Sequence, residues 1–217
     1  MPDIFDEVAE DLRAERVQIL MKRYAPLMIA LVLVVVAATA GWQVWRWRLA
    51  REDMAAGQHY LAAMALESTP AAAADRKALI SEFDAIAKAS PEGYRTLARL
   101  QAAAFQAQNG DLPAALALWN AIATDDGADP LLRGAANLLW CEHQIDTGDP
   151  GILAGRLKAL AEPGNVWRPL AEEQLALLDL RQGKTAAAKA TLTKLTQDFT
   201  APEGVRGRAA ALLAQLG

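Results

Sequence analysis

Four arginines set the frame for this chain. Tyr94 and Arg95, Leu132 and Arg133, Trp167 and Arg168, and Val205 and Arg206 recur at separations of 38, 35 and 38 residues. Each arginine is followed three positions later by an alanine: Ala98, Ala136, Ala171 and Ala209. Gly110, Gly148 and Gly183 stand fifteen residues after the first three, and Pro91, Glu92, Gly93 returns as Pro202, Glu203, Gly204. A period of 35 to 38 residues is too short for a domain and long enough for two helices, so it marks a solenoid of helical hairpins. Helix-period patterns run over 48–67, 72–89, 93–109, 112–124, 131–147, 150–161, 167–182, 184–199 and 203–216, with no strand pattern between them. Short connections force neighbouring helices to pack antiparallel.

The repeat has a local physical logic. Each glycine is expected to end the first helix of a pair by adopting positive φ, which costs it nothing. Five residues past each glycine stand Ala115, Leu153 and Ala188, and nine past stand Trp119, Leu157 and Leu192. A small residue followed one turn later by a large one lets the second helix approach closely and then fill the gap.

A second feature precedes the repeats. The 22 residues from Tyr24 to Trp45 carry no formal charge, and a helix of that length rises roughly 33 Å, enough for a hydrocarbon core of about 30 Å. Lys22, Arg23 and Tyr24 flank one end; Trp42, Trp45 and Trp47, interleaved with Arg46 and Arg48, flank the other, as suits membrane interfaces. Pro26 falls near the start of this segment, where a missing N–H does least harm. The competing reading is a cleaved signal peptide, because Ala38, Thr39 and Ala40 before Gly41 imitate a cleavage site. An anchor fits better: acids outnumber bases in the segment before the run, and an aromatic belt follows it. Arg13, Arg16, Lys22 and Arg23 on one side against Arg46, Arg48 and Arg51 on the other leave the orientation open. Residues 1–23 read as an amphipathic helix with Phe5, Val8, Leu12 and Ile19 along one side.

Composition narrows the function. With 22 bases against 26 acids and a net charge of -4, the chain lacks the attraction a duplex-binding protein needs. A single cysteine, Cys141, permits neither an internal disulfide nor a cysteine-rich metal site. Cys141 and His143 are two apart on a helix and point to different sides, so they form no nucleophile–base pair, and Cys141 reads as a packed thiol. His59 has no carboxylate at helical spacing to orient it. Glu172 with Glu173, and Asp125 with Asp126, read as solvated charge. There is no glycine-rich phosphate loop, GxSxG or HExxH. The reading is therefore a binding protein: no catalytic residues, no cofactor, no metal, no small-molecule substrate and no nucleic acid. A hydrolase with an unrecognised carboxylate site is the alternative from another class.

Gly110, Asp111, Ala115 and Trp119, followed by Pro130, resemble the second half of a tetratricopeptide repeat; Gly148, Asp149 and Gly183, Ala188, Leu192 repeat the pattern more loosely. Ala103 and Gln106 replace the glycine and tyrosine of that repeat's first helix. Together with Gly41 and Trp42 closing a single anchor, the chain resembles the bacterial ancillary SecYEG translocon subunit family, the YfgM-like proteins. The resemblance implies a cytoplasmic segment 1–23, a transmembrane helix 24–47 in the inner membrane and a periplasmic repeat domain 48–217. It implies protein partners as well: Sec translocon subunits, periplasmic chaperones or secreted chains. A repeat scaffold for envelope assembly or cell division is the alternative.

The expected fold is all-α: one transmembrane helix, then a tetratricopeptide-like right-handed α-solenoid of about four hairpins with a C-terminal capping helix. The recurring arginines sit in the first turn of their helices, where the dipole opposes a cation, so each is expected to be held by an acid on an adjoining loop, in an ion pair repeated from copy to copy, with a ligand carboxylate as the alternative. Mapping the tetratricopeptide groove positions from the arginines makes Leu97, Leu100, Glu142, Asp146, Glu173 and Arg181 the residues lining the partner surface.

Overall fold

The computed structural model describes the backbone of residues 4–67 and 75–217, and the side chains of 24, 26–67 and 75–217. Nine α-helices and no strand occur among the described residues. The chain divides into two units, Met1–Glu52 and Asp53–Gly217.

Helix α1 spans Ile4–Glu67, so from residue 4 on the juxtamembrane segment runs on as one helix into the apolar run. Pro26 lies near the start of the apolar run, as expected, but well inside the helix, so its missing N–H is not among the free ones of a first turn. A proline there removes one backbone hydrogen bond, a loss that helices in lipid tolerate. Within the first unit the apolar run is long and hydrophobic enough to cross a membrane, with a mean hydropathy of 2.2 and no residue of that stretch buried. Its hydroxyl is masked internally: Thr39 Oγ1 donates to the carbonyls of Val35 and Val36, each at 2.9 Å. At the far end of the run, the Trp42 and Trp45 rings meet at 5.2 Å between centroids with their planes tilted by 55°, and the Arg51 guanidinium lies 3.8 Å over Trp47. The stripe Phe5, Val8, Leu12 and Ile19 lies outside the described side chains.

The second unit contains the end of α1, then α2 (Arg76–Ala89), α3 (Glu92–Gln108), α4 (Leu112–Ala123), α5 (Pro130–Glu142), α6 (Pro150–Leu160), α7 (Arg168–Arg181), α8 (Thr185–Gln197) and α9 (Glu203–Leu216). Local chemistry fixes where they start. Asp75, Asp111, Asp129 and Asp149 each accept a hydrogen bond from an amide in the first turn of the helix they precede. Proline follows in the first turn of α4, α5, α6 and α7, where its missing N–H costs nothing.

Packing proceeds in steps. The first core joins Ala63 of α1 to Leu79, Phe83 and Ile86 of α2 and to Ala98, Ala102 and Phe105 of α3. The Phe83 ring is 5.7 Å from Tyr60 and 5.6 Å from Phe105. The second joins Ala103, Ala115 and Trp119, with Leu139 and Trp140 of α5 against them. The third joins Leu138 and Cys141 to Leu153 and Leu157 of α6 and to Ala171 and Leu178 of α7. The fourth joins Ala176, Ala188, Leu192 and Leu195 to Val205 and Ala209 of the terminal helix. Besides its neighbours in sequence, α3 touches α5, α5 touches α7, and α7 touches α9. This stepwise stacking, in which each hairpin buries its apolar flank on the next, is what defines a solenoid. The end of α1 with α2, α3 with α4, α5 with α6, and α7 with α8 are the four hairpins, and α9 caps the last.

The periodic residues do what the sequence requires. Ala98, Ala136, Ala171 and Ala209 are wholly buried, as are Ala115, Leu153 and Ala188 and, one turn on, Leu157 and Leu192, with Trp119 nearly so. The glycines divide. Gly110 has φ +87° and Gly183 φ +74°, the left-handed turn expected. Gly148 does not: α5 already ends at Glu142, short of the expected 147, and turns fill the interval to residue 148. A Cβ on Gly148 would sit 3.0 Å from the carbonyl oxygen of Gln144 and 3.3 Å from Leu153, so there the glycine serves close packing.

Candidate interaction surface

The recurring arginines are held in unlike ways. Arg133 reaches back to Asp126 in the preceding loop at 2.9 Å, and Arg168 reaches Asp198 in the loop after α8 at 2.8 Å. These two match the expected pairing of an early-helix cation with a loop acid. Arg95 pairs instead with Glu92 of its own first turn at 2.9 Å. The loop acid of that repeat goes to Arg99, one turn later, which binds Asp125 at 3.0 Å. Arg206 keeps a buried Nε without a partner among the described residues.

These contacts tune the loop acids. The hydrogen bond from Arg99, with the Gly127 amide behind it, lowers the Asp125 carboxyl below its ordinary range. The Thr200 hydroxyl and amide, assisted by Arg168, do the same for Asp198. Burial pushes the Cys141 thiol up to about 11, so it stays protonated and unreactive.

A separate set of bonds joins equivalent positions of successive repeats. Gln101 donates to Glu67, Arg156 to Asn120, Trp167 Nε1 to the Leu131 carbonyl, Arg181 to the Ile145 carbonyl and Arg208 to Glu173, at sequence separations of 34, 36, 36, 36 and 35. Arg156 also binds Asn137 at 3.1 Å and lies 3.8 Å over the Trp140 ring, so one guanidinium ties three helices. The period visible in the sequence is therefore also the spacing of the polar contacts between hairpins. Sequence reasoning missed Arg208, Arg156 and the two asparagines, although a search for opposite polar partners one period apart would have found all of them but Asn137, which lies 19 residues from Arg156.

The six residues mapped to the partner surface fall on first helices and the turn after α5. Leu97 and Leu100 are half-buried on α3, and Leu100 packs against the second core. Glu142 is exposed at the end of α5 and Asp146 in the turn beyond it; Arg181 is exposed on α7, bonded at 2.8 Å to Ile145 next to Asp146. Glu173 is buried under Arg208, whose pKa that carboxylate raises, with a smaller contribution from the charge of Glu142. Glu142, Glu173 and Arg208 thus form one cluster, and Asp146 and Arg181 form a second beside the same turn.

One expectation is corrected here. Glu172 and Glu173 do not read out as solvated charge: both are buried, Glu172 held by Lys194 at 2.8 Å and Arg168 at 3.7 Å, and Glu173 by Arg208 at 2.6 Å. Their partners come from distant stretches of chain, which adjacency on one helix cannot reveal.

Between α3, α4 and α5 a hollow of about 400 Å³ opens where Ala104 and Ala107 stand on the first helix, floored by Trp119, Leu139 and His143. The rings of Trp119 and His143 lie 4.4 Å apart, and His143 Nδ1 is 2.9 Å from the Leu139 carbonyl. Among the described residues no group of three His, Cys, Asp or Glu side chains is placed to hold a metal ion.

Hairpins stacked by repeat-to-repeat bonds, with a face of first helices bearing charged clusters and an apolar hollow, define a protein-interaction scaffold. The chain belongs to the tetratricopeptide repeat-like domain family, whose pattern matches residues 20–149, from α1 ahead of the apolar run to the N-cap of α6. No catalytic family is indicated. No curated protein and no solved structure matches the chain.

Proposed function

We propose that this chain is a membrane-anchored binding scaffold of the bacterial envelope that works as an ancillary subunit of the secretion channel, holding emerging chains or chaperones near the exit. In this reading residues 1–23 are cytoplasmic, 24–47 cross the inner membrane, and 48–217 form the periplasmic repeat domain. The observation that carries it is the extent of the family match. It begins at residue 20, so the apolar run and the first hairpins belong to one family domain. Anchoring beside a channel raises the effective concentration of a weak binder without demanding a tight site. Leu97, Glu142, Asp146 and Arg181 offer the groove's accessible contacts, while Leu100 and Glu173 shape it from beneath.

Crosslinking in native membranes followed by mass spectrometry tests the partner. Retrieval of channel subunits and envelope chaperones supports the reading; retrieval of cell-wall or division enzymes in their place moves the scaffold to envelope assembly. A reporter fused after Gly217 and active only outside the cytoplasm tests the topology, and an inactive fusion overturns it.

A further inference from the structure

The repeat array ends on α1 at one side and on α9 at the other, and the two end helices differ in what they show to water. Within the second unit α1 turns Ala56 and Ala63 inward, both buried, and packs Tyr60 and Met64 on the first core. Its opposite face carries Met54, Ala55, Gln58, Leu61 and Ala62, all exposed, Met54 to 62% and Leu61 to 67%. No acid or base occurs from residue 54 to 66. The outer face of an end repeat has to be polar if water is to cover it. Helix α9 meets that condition: it carries Glu203, Arg206 and Arg208, and its Val205, Leu212, Leu213 and Leu216 are buried or half-buried. Helix α1 does not.

The spacing on that face is that of a helix seam. Met54 and Leu61 are seven residues apart with Gln58 between them, the four-and-three step of a coiled coil, and Ala55 and Ala62 repeat the step of seven beside it. The count continues back into the uncharged run. Ala37 stands three sevens before Gln58 and Gly41 two sevens before Ala55, and these two form the small pair that lets helices approach closely in lipid. A Cβ on Gly41 would meet nothing within 4 Å. Arg51, one seven before Gln58, is drawn over the Trp47 ring. Lipid does not suit the face, because Arg48, Arg51, Glu52 and Asp53 separate it from the run. A second copy does: chains anchored by the same segment stand parallel in one membrane at raised effective concentration, and two such faces bring no charge to repel each other.

We infer that this face of α1 is the contact between two copies of the chain, packed parallel with Met54 against Met54 and Leu61 against Leu61. A left-handed supercoil keeps the columns of seven in register along such a pair. The same patch serves both copies, so the contact closes at two. It uses none of the residues assigned to the groove of first helices. It rests on the apolar run crossing lipid, and not on the secretion partner or on which side the repeats face.

The test places one cysteine at a time in the full chain in its membrane, where native Cys141 is buried. Met54→Cys and Leu61→Cys should each give a disulfide-linked dimer on mild oxidation, whereas the unmodified chain and Ala187→Cys, exposed on α8, should not. In detergent micelles, sedimentation should show Met54→Lys combined with Leu61→Lys weakening the dimer by about tenfold or more, because the contact would bury their charges. Both positions are exposed, and an unchanged circular dichroism spectrum verifies that the variant folds. No dimer from either cysteine, equal trapping by Ala187→Cys, or a monomer at every concentration overturns the proposal. A Leu61→Cys adduct with a different protein overturns it in favour of a foreign partner. Release of the chain from membranes by a carbonate wash overturns the anchor on which the parallel arrangement rests, while an inactive reporter fusion overturns the topology alone.

Discussion

Arg208 of the terminal helix grips Glu173 of α7 through two hydrogen bonds of 2.6 Å, from Nε and one terminal nitrogen to the two carboxylate oxygens. Glu173 is 3% exposed. The guanidinium side chain is 56% exposed, so the cation remains hydrated while the anion does not. Removing the cation therefore strands a buried charge, whereas removing both leaves only a polar amide. Arg208→Ala should cost about 1–3 kcal/mol, and adding Glu173→Gln should recover part of it. Melting temperatures of the full chain and both variants check this; a loss that is simply additive removes the pairing argument.

Gly134 of α5 is required by a neighbouring ring. A Cβ there would come within 2.5 Å of Trp167, whose indole N–H is fixed on the Leu131 carbonyl. Gly134→Ala should thus destabilise by about 1–3 kcal/mol, against the ordinary gain of alanine over glycine in a helix. Trp167→Leu in the same chain should relieve the clash. If Gly134→Ala alone raises the melting temperature, the ring yields more easily than its hydrogen bond implies.

The glycines of the hairpin turns should separate by mechanism. Gly183→Ala places a Cβ in left-handed backbone and should cost about 1 kcal/mol, with Gly183→Asn costing less because asparagine tolerates that region. Gly148 has no positive φ, so Gly148→Asn should be no better than Gly148→Ala; both meet the Gln144 carbonyl. Paired melting curves decide it.

Acid should loosen the loops after α4 and α8. Asp125 and Asp198 have folded pKa values below the unfolded one, so their contribution is complete above about pH 4 and is lost as pH falls through the folded values. Melting temperature should drop below that point, and the combination Asp125→Asn with Asp198→Asn should flatten the drop. An unchanged acid profile would assign the loss to other carboxylates.

Cys141 behaves in the opposite sense. Its folded pKa of about 11 exceeds the unfolded value near 8.5, so stability is intact below about pH 8.5 and declines as pH rises toward 11. A thiol reagent should label it at neutral pH only as fast as the surrounding hairpin opens. Immediate labelling of the native chain would show that the thiol is not sealed between α5, α6 and α7.

Much of this molecule was legible in its sequence because helix ends and repeats are local. The periodic alanines, the aspartates capping helices, the prolines in first turns and the left-handed Gly110 and Gly183 each act within a few residues, so pattern alone placed the hairpins and their buried faces. The uncharged run announced a helix long and apolar enough to cross a membrane in the same way, by length and composition. The tertiary structure decided everything that depends on which distant side chain arrives. It buried Glu172 and Glu173 under Lys194 and Arg208, gave Asp125 to Arg99 in place of Arg95, and turned Gly148 from a helix terminator into a packing contact. A sequence states the charges; whether each is solvated or paired depends on partners one repeat away, and those distances exist only once the hairpins have stacked.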